Sequence, residues 1–359
     1  MNPIKSIFIY LVLAVAFNGA VLAQHSVGGT EDKVVLYNWE GYIPDEIVTA
    51  FTKETGIKVE YLTYNNDELM YARTKIVKGR AYDVIVSPTD LVMRMRDEGL
   101  LQAIDHSRLE YFDQLEPKLL DQFYDPGNVF SIPYAWGSTG IVVNVDKLDT
   151  NKISRWEDLW AKQWRDQVLL IDSMREVFMI ALTVNGHDIN STNEDEIKQA
   201  YEMLRRLLPN TKLISRTARS EFLSENVDLG ILWSSSIVRI GRKNPALRYV
   251  YPEEGPLFWL SSFVIPARAA NVDNALRFID YILRPDVAAR CVEIRGHTTA
   301  TRVDSSLLDS EIYNNKAIFP PMKVLDQAKF PQDIGLTVKL YRRYWEKLKA
   351  EADKGGGPR

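Results

Sequence analysis

Between residues 34 and 99 the chain alternates short apolar runs with amphipathic segments, and this alternation constrains the fold most. Three runs are rich in β-forming residues, and each is followed by a segment with helical periodicity that ends near a glycine or a turn. Strand–helix alternation of this length is typical of parallel strands joined by crossover helices. The predicted strands are Val34–Tyr37, Ile57–Tyr61 and Tyr82–Val86, and the predicted helices are Asp45–Glu54, Asn65–Lys78 and a stretch through Glu98.

The first 23 residues predict a secretory signal peptide. Lys5 supplies a positive start, Ile7–Phe17 an apolar stretch, and Val21-Leu22-Ala23 a small-residue cleavage site. The apolar stretch is too short for a secure membrane span, and no cysteine follows the cleavage site to carry a lipid anchor. We therefore expect an exported chain of 336 residues, 23 fewer than the 359 encoded. This length exceeds what one core usually supports and predicts two lobes.

Charge and motif content exclude several classes of function. A formal net charge of −4 disfavours nucleic acid as a partner. We find no phosphate-binding glycine loop, no nucleophile elbow and no zinc-protease motif, so the chain is predicted not to be an enzyme and to need no cofactor. The acidic stretch 188–196 is interpreted as a helix start with Ser191 and Glu194 in a capping box, and not as a metal site. The single Cys291 cannot form an internal disulfide and is predicted to be buried.

The alternation of predicted strands and helices is interrupted in the middle of the chain. Residues 132–137 form an extended segment containing a proline, and they lead into a predicted strand at 139–144, where we place a crossing into the second lobe. A strand at 256–266 is interpreted as the return. Two crossings predict lobes built from separated segments, 31–137 with 259–304 and 138–258 with 305–350, whose cleft can close by hinge motion. A C-terminal helix at 333–349 is predicted to pack its aromatic residues, Tyr341, Tyr344 and Trp345, in a core or between lobes.

An acid flanked by aromatic residues stands where the first strand ends, in Trp39-Glu40-Gly41-Tyr42. In open α/β sheets, ligands bind beyond the carboxyl ends of strands. Trp233 and Trp259 also follow apolar strand-like runs. Aromatic faces attract cations by about 0.5–2 kcal/mol, and a carboxylate neutralises their charge. This pattern indicates a cleft that binds an organic amine.

Several segments resemble the periplasmic spermidine/putrescine-binding proteins, in register from about residue 33 to 349. They are 38–44 (NWEGYIP), 51–59 (FTKETGIKV), 82–83 (YD), 131–137 (SIPYAWG), 175–178 (REVF), 258–259 (FW) and 283–288 (LRPDVA). The resemblance implies the α/β, two-lobe periplasmic solute-binding protein fold (type II), with a polyamine in the cleft between the lobes. In that family aromatic rings sandwich the methylene chain, and carboxylates hold the ammonium ends.

Carried over by position, the resemblance implies a set of ligand-binding residues and several departures. The matching residues are Trp39, Glu40, Tyr42, Glu176, Trp233 and Trp259. Ser173 and Ser261 stand where the family has acids, His297 replaces a cleft tyrosine, and Asp90 is an added acid. A family glutamine falls at or near Pro331, beside Gln332. These changes predict altered polyamine selectivity, with spermidine, norspermidine and spermine all open. If His297 faces the cleft, binding is expected to tighten above its pKa; a hydrogen bond at a helix end is the alternative.

The resemblance also implies the partners. We expect a periplasmic monomer that binds a polyamine and delivers it to a membrane ABC transporter permease. The alternative is a norspermidine or spermidine sensor, whose closed form is recognised by a membrane signalling receptor.

Overall fold

The computed structural model describes residues 32–355 and shows an α/β protein built around one continuous sheet. The predicted signal peptide lies outside the described residues. The strands are β1 (Lys33–Trp39), β2 (Lys58–Tyr64), β3 (Val84–Pro88), β4 (Ser131–Asn144), β5 (Val168–Ile171), β6 (Thr211–Ser215), β7 (Leu229–Trp233), β8 (Leu247–Val250), β9 (Leu257–Val264) and β10 (Thr298–Thr299). The helices are α1 (Asp45–Thr55), α2 (Asp67–Val77), α3 (Thr89–Asp97), α4 (Met174–Val184), α5 (Glu194–Leu207), α6 (Ala218–Leu223), α7 (Ser234–Gly241), α8 (Val272–Leu283), α9 (Pro285–Arg295), α10 (Ser310–Tyr313), α11 (Met322–Leu325) and α12 (Val338–Gly355). Short 3₁₀ turns occupy several connections.

The sheet has a parallel part at each end and an antiparallel centre. Its strand order is β2-β1-β3-β9-β4-β7-β5-β6, and both β8 and β10 pair with β4. The pairs within β1–β3 and within β5–β7 are parallel, as the alternation of strands and helices predicts. The long strands β4 and β9 run antiparallel to each other and join the two ends. They therefore carry the chain from one half of the molecule to the other.

Two apolar cores lie along this sheet. The first core draws on residues 34–136 and 258–300 together with Phe330, and the second on residues 141–257 and 289–348. Each core is thus assembled from separated segments. The predicted lobe boundaries at 137/138, 258/259 and 304/305 stay predictions. Tyr341 and Trp345 of α12 are buried in the second core, in line with the packing predicted for the C-terminal helix.

Local sequence explains most helix boundaries. Gly56 ends α1 in the left-handed region, at φ 75°, where glycine carries no Cβ penalty. Asn66 caps α2 by accepting a hydrogen bond from the backbone N–H of Leu69 at 2.9 Å. The capping box predicted at Ser191 and Glu194 is wrong, because Asn193 caps α5 through the Asp195 N–H at 2.9 Å. The Ser191 hydroxyl instead donates to Glu196.

Other sequence predictions need correction in extent. The extended segment at 132–137 and the strand at 139–144 form one strand, β4, because a register shift between Pro133 and Ala135 accommodates the proline. The C-terminal helix begins at Val338, and residues 335–337 form a 3₁₀ turn before it. Cys291 is a free cysteine and is fully buried, as predicted. No helix within residues 32–355 has the length and apolar character needed to cross a bilayer.

Candidate functional site

Glu176 is held between the second core and the central sheet by three hydrogen-bond donors. Thr139 Oγ1 donates to Oε1 at 2.5 Å, and the Trp233 indole N–H lies 3.1 Å from both carboxylate oxygens. Thr139 and Trp233 are partners in the β4–β7 register, which explains why both reach the first turn of α4. Burial raises the pKa of Glu176, while hydrogen bonds from Thr139, Ser173 and Trp233 lower it. The carboxylate is therefore oriented, and no lysine or arginine between residues 32 and 355 forms a salt bridge with it.

Asp67, the first residue of α2, is a second acid in the electrostatic environment of Glu176. Its pKa is raised well above the ordinary value, first by burial and then by the charges of Asp90 and Glu176. A hydrogen bond from the Trp39 side chain acts in the opposite direction. Within the described residues 32–355, Asp67 Oδ1 is buried and has no hydrogen-bond partner. Negative charge from both halves of the molecule therefore converges on one place.

Asp90, in the first turn of α3, is the third acid of this group. Burial raises its pKa, and the nearby guanidinium groups of Arg175 and Arg94 lower it. Arg94 itself forms an ion pair with Asp333, with Nη2 and Oδ1 2.5 Å apart. Asp90 thus has basic neighbours, which Asp67 and Glu176 lack: no lysine or arginine of residues 32–355 forms a salt bridge with either.

Trp39 is the last residue of β1, Tyr42 follows three positions later, and the two form an aromatic wall near these acids. The Trp39 ring lies 4.9 Å from that of Tyr64, centroid to centroid. The Tyr42 hydroxyl donates to Ser261 Oγ at 3.2 Å. Burial raises the pKa of Tyr42, and the charge of Asp67 raises it further. Tyr42 and Ser261 are therefore direct neighbours at the first-core side of the site, and Asp67 contributes to their electrostatic environment.

Trp259 lies on β9 two residues before Ser261, so both side chains project from the same face of that strand. Its partner across the β4–β9 register is Gly137. A Cβ on Gly137 would lie 2.3 Å from Trp259 Cζ2 and 2.8 Å from Ser234 Oγ. The indole therefore lies directly on the backbone of β4, and only glycine leaves room for it. The buried Trp259 indole N–H has no hydrogen-bond partner within residues 32–355.

Two other predicted residues, Glu40 and His297, have different surroundings. Glu40 is exposed and lines a separate cavity of about 240 Å³ with Tyr37, Thr63, Tyr64, Asn65, Leu69 and Arg73. His297 is 2% exposed, and its ring packs 4.9 Å from that of Tyr42, centroid to centroid. Burial lowers the pKa of His297 to about 4. Its Nε2 lies 3.2 Å from the Tyr42 carbonyl oxygen, which belongs to the turn after β1 and not to a helix end. With this lowered pKa the ring carries no charge near neutral pH.

The segment around Pro331 and Gln332 joins both halves of the molecule near the acids. Thr89 Oγ1 donates to the Pro331 carbonyl at 3.0 Å. The Gln332 backbone N–H donates to Asn190 Oδ1 at 2.8 Å, and the Gln332 carbonyl accepts from Arg175 at 3.4 Å. Gln332 makes both of these contacts with its backbone. Together with the Arg94–Asp333 ion pair, these bonds connect α3 with the region of α4.

Sequence reasoning missed Asp67 and Thr139 as site residues. Asp67 looks like part of a helix start in the sequence, and the neighbouring Asn66 is indeed the cap. Its position in the sequence could have identified it as a site residue, because an acid just after β2 stands at the carboxyl end of a parallel strand. Thr139 sits within a strand, and only the β4–β7 register brings it to Glu176.

Buried acids beside aromatic rings, at the junction of two cores joined by β4 and β9, define a binding protein of the two-lobe type. Residues 46–321 match the family described as bacterial extracellular solute-binding protein, and the chain belongs to this family. Its fold is that of the type II periplasmic solute-binding proteins.

Within this class, the chain is similar to proteins named for polyamines. It is 39% identical to the spermidine/putrescine-binding periplasmic protein of Salmonella typhimurium over 342 residues, which cover 95% of this chain and 98% of that protein. The Escherichia coli protein of the same name is 39% identical over 335 residues, covering 92% and 96%. The crystal structure of the spermidine/putrescine ABC transporter substrate-binding protein PotD from Streptococcus pneumoniae matches with a TM-score of 0.80 and 32% identity, over 89% of this chain and 99% of that one.

Proposed function

We propose that this protein captures a polyamine between its two lobes in the periplasm and delivers it to a membrane ABC transporter. The observation that carries the proposal is the mutual influence of Asp67 and Glu176, two half-buried carboxylates from opposite halves of the molecule, together with the indoles of Trp39 and Trp233. Like charges buried together are unfavourable unless a cation joins them. The names of the related proteins supply the ligand class, because they are described as binding spermidine and putrescine.

The proposed binding mechanism follows from the site. An ammonium group takes the place of water at each carboxylate, where charge-assisted hydrogen bonds form. Trp39, Tyr42, Trp233 and Trp259 cover the methylene chain and attract the cationic ends. Ser173 and Ser261 supply neutral hydroxyls and no negative charge. The charge pattern of the site, and with it the selectivity among polyamines, therefore depends on Asp67, Asp90 and Glu176. No chemical step is required, and we expect the bound polyamine to be recovered unchanged.

Calorimetric titration of the mature protein with putrescine, spermidine, norspermidine and spermine tests the ligand. We expect at least one member to bind in the micromolar range or tighter, with a negative heat-capacity change from buried apolar surface. Native mass spectrometry of protein isolated from its host would name the ligand directly. Millimolar or absent binding to every member would refute the proposal.

The membrane partner needs a separate experiment. We propose delivery to a transporter, and the alternative is a receptor that recognises the closed form. Uptake of labelled polyamine should fall in a strain lacking this protein if delivery is correct. Normal uptake together with a lost regulatory response to polyamine would instead identify a sensor. The serines at 173 and 261 are compatible with this role, because a sensor need not bind the same polyamines as a transporter.

A further inference from the structure

We propose that Asp67 binds an ammonium group of the ligand directly. The inference rests on the proposed function and specifies the residue at the first-core side of the site. The ligand class is an aliphatic amine whose nitrogen is protonated at neutral pH.

The first argument is that the Asp67 carboxylate does not cap its own helix. Asp67 is the first residue of α2, and an acid at a helix start can accept hydrogen bonds from the free backbone N–H groups. Asn66 performs this function through the Leu69 N–H. The Asp67 Oδ1 atom is shielded from solvent and accepts no hydrogen bond from any residue between 32 and 355. A buried acceptor without a partner costs about 1–3 kcal/mol, and more when it is charged, so a donor from outside the chain is the natural complement.

The second argument compares the three acids. Glu176 accepts hydrogen bonds from Thr139, Ser173 and Trp233, and Asp90 lies near two arginines. The Trp39 side chain favours the ionised form of Asp67, whereas the charges of both other acids oppose it. An ammonium group beside Asp67 would complete its hydrogen bonding and relieve the repulsion among all three carboxylates. No other acid of the group combines these two needs.

The position also agrees with the aromatic wall. The Trp39 side chain lowers the pKa of Asp67, and Asp67 in turn raises the pKa of Tyr42. A cation at Asp67 Oδ1 would therefore lie beside rings that attract it. The α2 N-terminus additionally favours the ionised carboxylate that the cation requires.

The test uses Asp67→Asn, which keeps the shape and removes the charge, with spermidine and putrescine as probes. We expect affinity for spermidine to fall by roughly 10- to 100-fold, the range given by loss of one charge-assisted hydrogen bond. The ligand-free variant should unfold at the same temperature as the wild type or a higher one, because repulsion in the buried group decreases. Asp97→Asn is the matched control: it removes the same charge from an exposed site on α3 and should leave affinity within about twofold.

The outcomes separate this inference from the proposed function. If neither the wild type nor any variant binds a polyamine, both are refuted. If the wild type binds and Asp67→Asn binds with unchanged affinity, only the role of Asp67 is refuted. A variant that loses ligand-free stability and binding in parallel would point to a structural role and also overturn the inference. Loss of affinity at retained stability supports it.

Discussion

Replacing Gly137 by alanine should destabilise the junction between the two halves and displace a wall of the binding site. The added methyl would lie 2.3 Å from Trp259 Cζ2, where ordinary contact begins at 3.4 Å, so the ring must move by about 1 Å. The other close atom, Ser234 Oγ, is fixed by the backbone N–H of Ser138 at 3.2 Å. Overpacking of this kind costs about 1–3 kcal/mol, and the loss of glycine entropy in the unfolded chain returns about 0.4–1 kcal/mol.

We therefore expect a net loss of about 1–2 kcal/mol in the free energy of unfolding, measured by urea titration, and a changed tryptophan fluorescence spectrum. Polyamine affinity should fall in parallel because Trp259 moves. Gly241→Ala is the control, since its Cβ would meet no atom within 4 Å at the end of α7 and alanine is the better helix former. That variant should be as stable as the wild type or more stable. If Gly137→Ala matched it in stability, spectrum and affinity, the close contact between Gly137 and Trp259 would not be a constraint.

Three further predictions concern the charged and titrating groups. Glu176→Gln should weaken polyamine binding roughly 10- to 100-fold in calorimetry, because a neutral amide attracts an ammonium group less than a carboxylate does. In addition, the NH₂ group of the glutamine cannot accept the hydrogen bond that Trp233 donates to both carboxylate oxygens of Glu176. NMR titration of the ligand-free protein should show His297 neutral down to about pH 4. Because the pKa of His297 in the folded protein lies below its ordinary value, the contribution of this residue to stability is present above about pH 6.5 and is lost as the pH falls towards 4. His297 should therefore not contribute to any change in polyamine affinity between pH 5.5 and 8. A His297→Tyr variant whose affinity depends on pH in a clearly different way would contradict this. A double-mutant cycle on Arg94 and Asp333, whose side chains are 17% and 18% exposed, should give a coupling of about 1 kcal/mol or more, and a value near zero would refute a role for the pair in joining the two halves.

Local signals were sufficient for much of the fold. Apolar runs followed by helical periodicity predicted β1, β2 and β3 with their helices, because each element's pattern is set by its own residues. The same reasoning divided β4 into two pieces, since Pro133 is normally a strand breaker. Only pairing with β9, whose register shifts after that residue, makes one strand of 14 residues.

The sequence likewise predicted some features of the candidate site and not others. Trp39, Tyr42, Glu176, Trp233 and Trp259 could be selected from motifs and from resemblance. Their environment could not be read from the chain, because it depends on groups distant in sequence. The sequence placed Glu40 in the aromatic–acid motif, yet the turn after β1 leaves it exposed beside a separate cavity. His297 could be identified as a departure, but its neutral state follows from burial against Tyr42.

By itself, the sequence determined the alternation of elements, the positions of the aromatic residues at strand ends and the family to which they point, since these are properties of neighbouring residues. Tertiary structure alone decided which acids share a buried environment. Asp67 and Glu176 are 109 positions apart in sequence and belong to different cores, and their charges act on each other only because β4 and β9 bring those cores together. Electrostatic repulsion depends on distance and solvent exclusion, and neither is recorded in the order of the residues.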